Sequence, residues 1–179
     1  KLKVDFVFVW SGQHYDYEMS KAFFDQLDLP KPDENLNVRS ETNSMQTGEV
    51  MAKLEQSIRR RRPSIIVSEG DTNTVVAAAL ASAKCLVPFA HMEAGLRSWS
   101  MAMPEEINRR VADSIASLHF APTKLAALNL LFEGVSSRGL YLTGNTIVDV
   151  VYGNLDTAKQ IGERLLGELS LQKYKYLLM

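Results

Sequence analysis

Between Ser64 and Leu142, four short apolar runs alternate with three helix-spaced segments. The runs are Ser64–Ser68 (SIIVS), Leu86–Ala90 (LVPFA), Leu118–Ala121 (LHFA) and Gly139–Leu142 (GLYL). The segments between them are Thr74–Ala83, Glu105–Ser117 and Lys124–Phe132. A strand that leads to its neighbour through a helix must run parallel to it, and such crossovers are right-handed. The pattern therefore predicts a doubly wound α/β fold: a mostly parallel sheet with helices on both faces. The flanking segments extend it. Val4–Trp10 (VDFVFVW) reads as a strand buried on both faces, Tyr17–Leu27 as a helix and Leu29–Glu41 as a loop. Ser44 is the expected N-cap of a helix with Met51, Leu54 and Ile58 on one face, stopped by Pro63. In the helix from Glu105, the stripe Ile107, Val111 and Ile115 is the expected core face. Towards the C-terminus two helices are expected, Thr146–Tyr152 and Thr157–Leu169, and Tyr174–Met179 reads as the start of a strand.

Composition excludes several functions. The 179 residues carry a formal net charge of −1, which gives no reason to expect nucleic-acid or anionic-membrane binding. The single cysteine, Cys85, allows neither an internal disulfide nor a cysteine metal cluster. His14, His91 and His119 are too scattered to suggest a metal. The most apolar stretch, Val75–Ala90, is broken by Lys84 and Pro88, too short to span a bilayer. Lys1-Leu2-Lys3 leads straight into an apolar run, unlike a signal peptide, so a cytoplasmic location is expected. The chain has neither GxGxxG nor GxxxxGK[ST], so no dinucleotide fingerprint and no P-loop. Arg59–Arg62 is read as cations at a helix C-terminus rather than an anion site.

In an open parallel sheet, ligands bind beyond the carboxyl ends of the strands. Four groups fall there. In Gly70-Asp71-Thr72, glycine permits the tight turn, and Asp71 is either a helix cap or a catalytic carboxylate. In His91–Arg97 (HMEAGLR), His91 and Glu93 reach the crevice rim, and Arg97 either pairs with Glu93 or binds phosphate. Pro104-Glu105-Glu106 suits a helix start, but a carboxylate there is also held rigidly. Thr143-Gly144-Asn145-Thr146 is a helix cap or an anion site. Asp71, Glu93 and Glu105 come from separate strand ends. Together they suggest a site where like charges raise some carboxyl pKa values, so that one group donates a proton and another accepts it.

The blocks GDTNT (Gly70–Thr74), HMEAGLRS (His91–Ser98), MPEEINRR (Met103–Arg110), HFAPT (His119–Thr123) and LTGNTIVD (Leu142–Asp149) occur in one order. In that order they resemble the non-hydrolysing UDP-N-acetylglucosamine 2-epimerases, and the short HMEAGLR–PEE spacing resembles the archaeal branch. The resemblance implies two Rossmann-like domains in the GT-B arrangement with the active site between them. It implies interconversion of UDP-N-acetylglucosamine and UDP-N-acetylmannosamine by loss and re-addition of UDP through 2-acetamidoglucal, without NAD or metal. It implies Asp71, Glu93 and Glu105 as acid–base carboxylates. His91, Arg97, Arg109, Gly144 and Asn145, with Gln13 and His14 upstream, would support or position the ligand. A homodimer is expected.

Two departures stand out: the family's opening strand with its Gly-Thr-Arg-Pro-Glu loop has no counterpart, and Tyr174–Met179 resembles only the first strand of a second domain whose UDP-gripping residues are not in the sequence. A smaller one is Glu69, which stands where His or Gln usually precedes Gly-Asp-Thr. Residues 1–170 are thus expected to be the N-terminal domain without its first strand, and 171–179 the start of a second domain. Alone, such a chain is expected to be inactive. The alternatives are a non-catalytic nucleotide-sugar-binding or dimerisation module, and half of a GT-B glycosyltransferase or hydrolysing epimerase.

Overall fold

The structure is a computed structural model that describes residues 4–12, 24, 29–40 and 42–171. It divides into two units, residues 1–143 and 144–179. Six strands belong to the first: β1 (Val9–Trp10), β2 (Glu34–Asn35), β3 (Ile66–Glu69), β4 (Phe89–Met92), β5 (Leu118–Ala121) and β6 (Leu140–Leu142). Between them lie α1 (Asn43–Arg61), α2 (Asn73–Lys84), α3 (Pro104–Ile115) and α4 (Lys124–Phe132). The second unit holds α5 (Thr146–Glu168).

Every strand pairing is parallel, as the alternating pattern predicts. The strands form a four-stranded sheet, β3-β4-β5-β6, and a separate pair, β1-β2. Each step from β3 to β6 moves one place through a helix, and right-handed crossovers place α2, α3 and α4 on one face. Alanine-rich α2 packs closely between α1 and α3 because its buried residues Ala77, Ala78, Ala79 and Ala81 hold the helices little apart. One apolar core serves both sheets. Leu36, Val38, Val50, Leu54 and Ile58 join Val75, Phe89 and Ala112 in it, and Val9 and Ile66 pack against it.

Several boundaries differ from expectation. Only Val9–Trp10 of the Val4–Trp10 run is paired as strand, and it is not buried on both faces: Val4 and Phe6 are 71% and 72% exposed. The Leu29–Glu41 loop contains β2, which borrows its order from β1 and from Asp33, whose Oδ2 accepts Phe8 N at 2.7 Å. Thr42 rather than Ser44 caps α1, accepting Met45 N at 3.3 Å. The two expected C-terminal helices are one, α5, because Gly153 and Asn154 do not interrupt it. The α3 stripe is only partly inward: Ile115 packs against the core and Val111 is half-buried, but Ile107 is exposed, and Glu106, Ala112 and Asp113 are the fully buried residues. Of Tyr17–Leu27 only Phe24 is described, and Tyr174–Met179 lies outside the described residues. Arg60 and Arg61 both pair with Glu34, and Arg59 with Glu55, in keeping with a cationic helix end rather than an anion site. Among the described residues, no helix is long and apolar enough to cross a membrane.

Candidate active site

The carboxyl ends of β3 and β4 lie side by side, since Ser68 pairs with His91 and Glu69 with Met92. One step further, the register sets Gly70 opposite Glu93. Both turns use left-handed backbone: Gly70 at φ +86°, Glu93 at +63° and Gly95 at +83°. Such a conformation costs a residue with a Cβ of order 1 kcal/mol or more and persists only where neighbours enforce it. Glu93 is the non-glycine member of the set. Its Oε2 lies 3.8 Å from where a Cβ on Gly70 would stand, so its carboxylate reaches across to the Asp71 turn.

Asp71 is held on three sides. Arg109 donates to its carboxylate, Asn108 Nδ2 donates to its carbonyl at 2.9 Å, and the adjoining Gly70 carbonyl faces His91 Nε2 at 2.7 Å. The capping alternative for this turn is not realised, because Thr72 is the N-cap of α2 and makes no side-chain cap bond. A guanidinium, that of Arg109, faces the Asp71 carboxylate.

Glu105 and Glu106 open α3, behind Pro104 in the first turn. They have opposite fates. Glu105 is exposed, and its (i, i+4) spacing sets it on the same helix face as Arg109, the residue that holds Asp71. Glu106 is fully buried, and its Oε2 accepts Ser98 N at 2.8 Å, Ser98 Oγ at 3.0 Å and Arg109 Nη1 at 3.1 Å. Burial alone would raise its pKa, but the Ser98 amide and hydroxyl with Arg109 and Arg97 outweigh it and hold the carboxyl below the ordinary value. Glu106 thus pins the segment between the two acids. Arg110 steadies the same segment, lying 5.8 Å over the Trp99 ring.

His91 and Arg97, expected to touch ligand, face inward, and both side chains have no exposed surface. His91 Nδ1 stands 2.6 Å from Asp113 Oδ1. Arg97 Nη1 lies 2.7 Å from Asp113 Oδ2, and its Nε and Nη2 grip Glu133. Burial pushes the Asp113 carboxyl up, but His91 and Arg97 together prevail and hold it below its usual range. Burial opposes the charge on Arg97, yet Glu133 and Asp113 raise its pKa further. These two residues position the turns; as placed, neither is open to a ligand. Arg109 too is occupied, by Asp71 and Glu106. Gln13 and His14 lie outside the described residues. In the second unit, Gly144 adopts φ +82° and Asn145 Oδ1 accepts Ile147 N at 2.9 Å, so the helix-cap reading of that motif is realised. Among the described residues, no cluster of three or more potential ligands could hold a metal.

Sequence reading missed Asp113 and Glu106 because acids on a helix are ordinarily solvated. The available signal was spacing: the two lie seven residues apart, on one face of α3.

The chain matches the profile of the UDP-N-acetylglucosamine 2-epimerase family over residues 1–179. It belongs to that family. A UDP-N-acetylglucosamine 2-epimerase homolog of Methanococcus maripaludis is 41% identical over 172 residues, which cover 96% of this chain and 48% of the relative. The crystal structure of the Methanocaldococcus jannaschii UDP-GlcNAc 2-epimerase in complex with UDP-GlcNAc and UDP superposes with a TM-score of 0.86 at 44% identity. That match covers 88% of this chain and 44% of the other. A UDP-2,3-diacetamido-2,3-dideoxy-D-glucuronate 2-epimerase of Pseudomonas aeruginosa is 45% identical over 132 residues, 74% of this chain and 37% of the relative. The chain spans less than half the length of these curated relatives. The resemblance read from the five motif blocks therefore holds, and so does the parallel α/β fold.

Proposed function

We propose that the chain is the N-terminal, acid–base domain of an epimerase that inverts C2 of a UDP-linked 2-acetamido sugar, with UDP-N-acetylglucosamine as substrate and UDP-N-acetylmannosamine as product. The observation that carries this reading is the pairing of two turns at neighbouring strand ends, which brings the Glu93 carboxylate to the Gly70–Asp71 turn. One carboxylate removes the C2 proton while the C1–O bond breaks and UDP leaves with the electron pair. This gives 2-acetamidoglucal. UDP then re-adds at C1, and a carboxylic acid on the other face returns a proton to C2. Asp71, Glu93 and Glu105 are the candidates for these transfers. Arg97 and Arg109 are each bound to carboxylates, so as placed neither guanidinium is open to the diphosphate.

A second substrate is favoured by a specific observation. The relative acting on UDP-2,3-diacetamido-2,3-dideoxy-D-glucuronate is 45% identical, no less than those named for UDP-N-acetylglucosamine, at 41% and 44%. Both substrates share the UDP group and the 2-acetamido carbon; they differ at C3 and C6.

The test joins this chain to the unmatched half of the Methanocaldococcus jannaschii relative and follows products from both sugars. The expected product is UDP-N-acetylmannosamine from UDP-N-acetylglucosamine, with Asp71→Asn, Glu93→Gln and Glu105→Gln each lowering turnover by about 100-fold or more. The 179-residue chain alone is expected to show none. Free N-acetylmannosamine with UDP would instead mark a hydrolysing enzyme. Binding without turnover in the joined protein would mark a non-catalytic module.

A further inference from the structure

Asp113 stands where the two active-site turns meet. Its carboxylate is buried in α3, one turn from the end of the helix, and both oxygens are engaged. Oδ1 faces His91 Nδ1 at 2.6 Å, and Oδ2 faces Gly95 N at 3.1 Å and Arg97 Nη1 at 2.7 Å. On its far side, His91 Nε2 faces the Gly70 carbonyl at 2.7 Å. One path therefore leads from Asp113 through His91 to the turn that carries Asp71. The other leads directly to the turn that carries Glu93.

We propose that Asp113 is a positioning residue that fixes the Asp71 and Glu93 turns relative to one another, acting on the first through His91 and on the second through the Gly95 amide. The inference rests on the reading of Asp71 and Glu93 as the acid–base groups. Glu93, left-handed at φ +63°, needs such a device. A turn strained in this way relaxes unless its hydrogen bonds hold it. Here the holding bonds share one ionised acceptor, and bonds to a charged acceptor are the strong ones. The arrangement also dictates the state of His91. The Gly70 carbonyl can only accept, and the Asp113 carboxylate, facing Arg97 as well, is ionised and can only accept. Both contacts are hydrogen bonds only when both ring nitrogens carry hydrogen, so the proposal requires a charged ring at His91.

The groups around it are consistent with that charge. Asp113 comes from α3, Arg97 from the turn after β4, and Glu133 from the end of α4. From β5 comes His119, the register partner of His91. His119 Nε2 donates to the Asp113 carbonyl at 2.7 Å, and its buried Nδ1 has no partner.

Two measurements on the 179-residue chain test this, and neither uses turnover, so failure of the epimerase reading would be seen separately. In the first, long-range nitrogen-15 spectra of the histidine rings at neutral pH are expected to show both nitrogens of His91 carrying hydrogen. A bare nitrogen on His91 overturns the proposal without need of any variant. In the second, amide exchange is compared between the chain, Asp113→Asn and His91→Gln. Asp113→Asn is expected to speed exchange of the Gly70–Asp71 and Glu93–Gly95 amides together, by about tenfold or more. His91→Gln is expected to speed only the first pair. Equal acceleration throughout the fold, or no change at either turn, would make Asp113 an ordinary core residue. If Asp113→Asn does not fold, His91→Gln and the ring spectra decide.

Discussion

Arg109 Nη1 stands 3.1 Å from Glu106 Oε2, and that carboxylate is fully buried, with its Oε1 lacking any partner. The same guanidinium binds Asp71. A buried charge deprived of its partner is costlier than a buried pair replaced as a unit. Arg109→Ala is therefore expected to destabilise the chain by about 3 kcal/mol at pH 7. Adding Glu106→Gln should recover part of that loss, because the amide carries no charge to strand. Urea unfolding of the two single variants and the double variant measures the coupling. Additive losses would mean that the pair contributes nothing as a pair.

The same helix shows what was legible in the sequence. The alternation of β-branched runs with helix-spaced segments was enough for the parallel α/β fold, because right-handed crossovers leave few other topologies. Asp71 and Glu93 could be placed at strand ends for the same reason, whereas Glu105, expected at a third strand end, stands in the first turn of α3 after the same strand as Glu93. The orientation of α3 could not. Binary patterning turns Ile107, Val111 and Ile115 inward, yet the structure buries Glu106 and Asp113 and exposes Ile107. Local pattern fails here because the partners of the buried acids come from separate segments, and no single spacing reveals that Ser98, Arg109, His91 and Gly95 converge on one helix face. The buried state of His91 and Arg97 was hidden likewise: a histidine and an arginine at a crevice rim look like ligand contacts until their partners, Asp113 and Glu133, are seen to come from distant segments. β2 escaped notice because Glu34-Asn35 has no strand propensity of its own and exists only through β1.

Acid should unfold this chain through its paired carboxylates. Arg60, opposed by burial and aided by Ser57 and Arg61, lowers the Glu34 carboxyl to about 2, and Glu106 and Asp113 are also lowered. In the unfolded chain a glutamate titrates at about 4.3 and an aspartate at about 3.9. A carboxyl depressed in the folded state stabilises it fully above the unfolded value, and the contribution fades as pH falls towards the folded one. Stability is therefore expected to be flat from pH 7 to about 5 and to decline between about 4 and 2. Glu34→Gln should make that decline shallower. Denaturant unfolding at stepped pH measures both slopes, and an unchanged slope in Glu34→Gln would remove Glu34 from the account.

Two glycines should respond in opposite directions to alanine. A Cβ on Gly95 would stand 2.2 Å from the Ala126 carbonyl oxygen, and the residue is at φ +83°. Gly95→Ala must move α4 or break the Glu93 turn, and a loss of about 3 kcal/mol or more is expected. Gly48 lies inside α1 with nothing within 4 Å of a Cβ. Gly48→Ala should stabilise the chain by about 0.5–1 kcal/mol by restricting the unfolded state and favouring helix. Thermal melts of the two variants decide the matter. Equal effects would mean that the close approach at Gly95 is relieved at no cost.

The division of the strands into a pair and a four-stranded sheet leaves edges on β1 and β3 with no strand partner among the described residues. The residues along them are apolar: Val67 in β3 is 54% exposed, and Val4, Phe6 and Val7 lead exposed into β1. An uncovered apolar edge is a template for pairing with another chain. The chain is therefore expected to self-associate as its concentration rises. Val67→Lys places a charge on the β3 edge and should shift the association to higher concentration without lowering the unfolding midpoint, since the side chain is not part of the core. Sedimentation velocity across a concentration series, with urea unfolding alongside, separates the two effects. Association unchanged by Val67→Lys would place the contact elsewhere, and the exposed leucines of α4, Leu125 and Leu128, would be the next residues to replace.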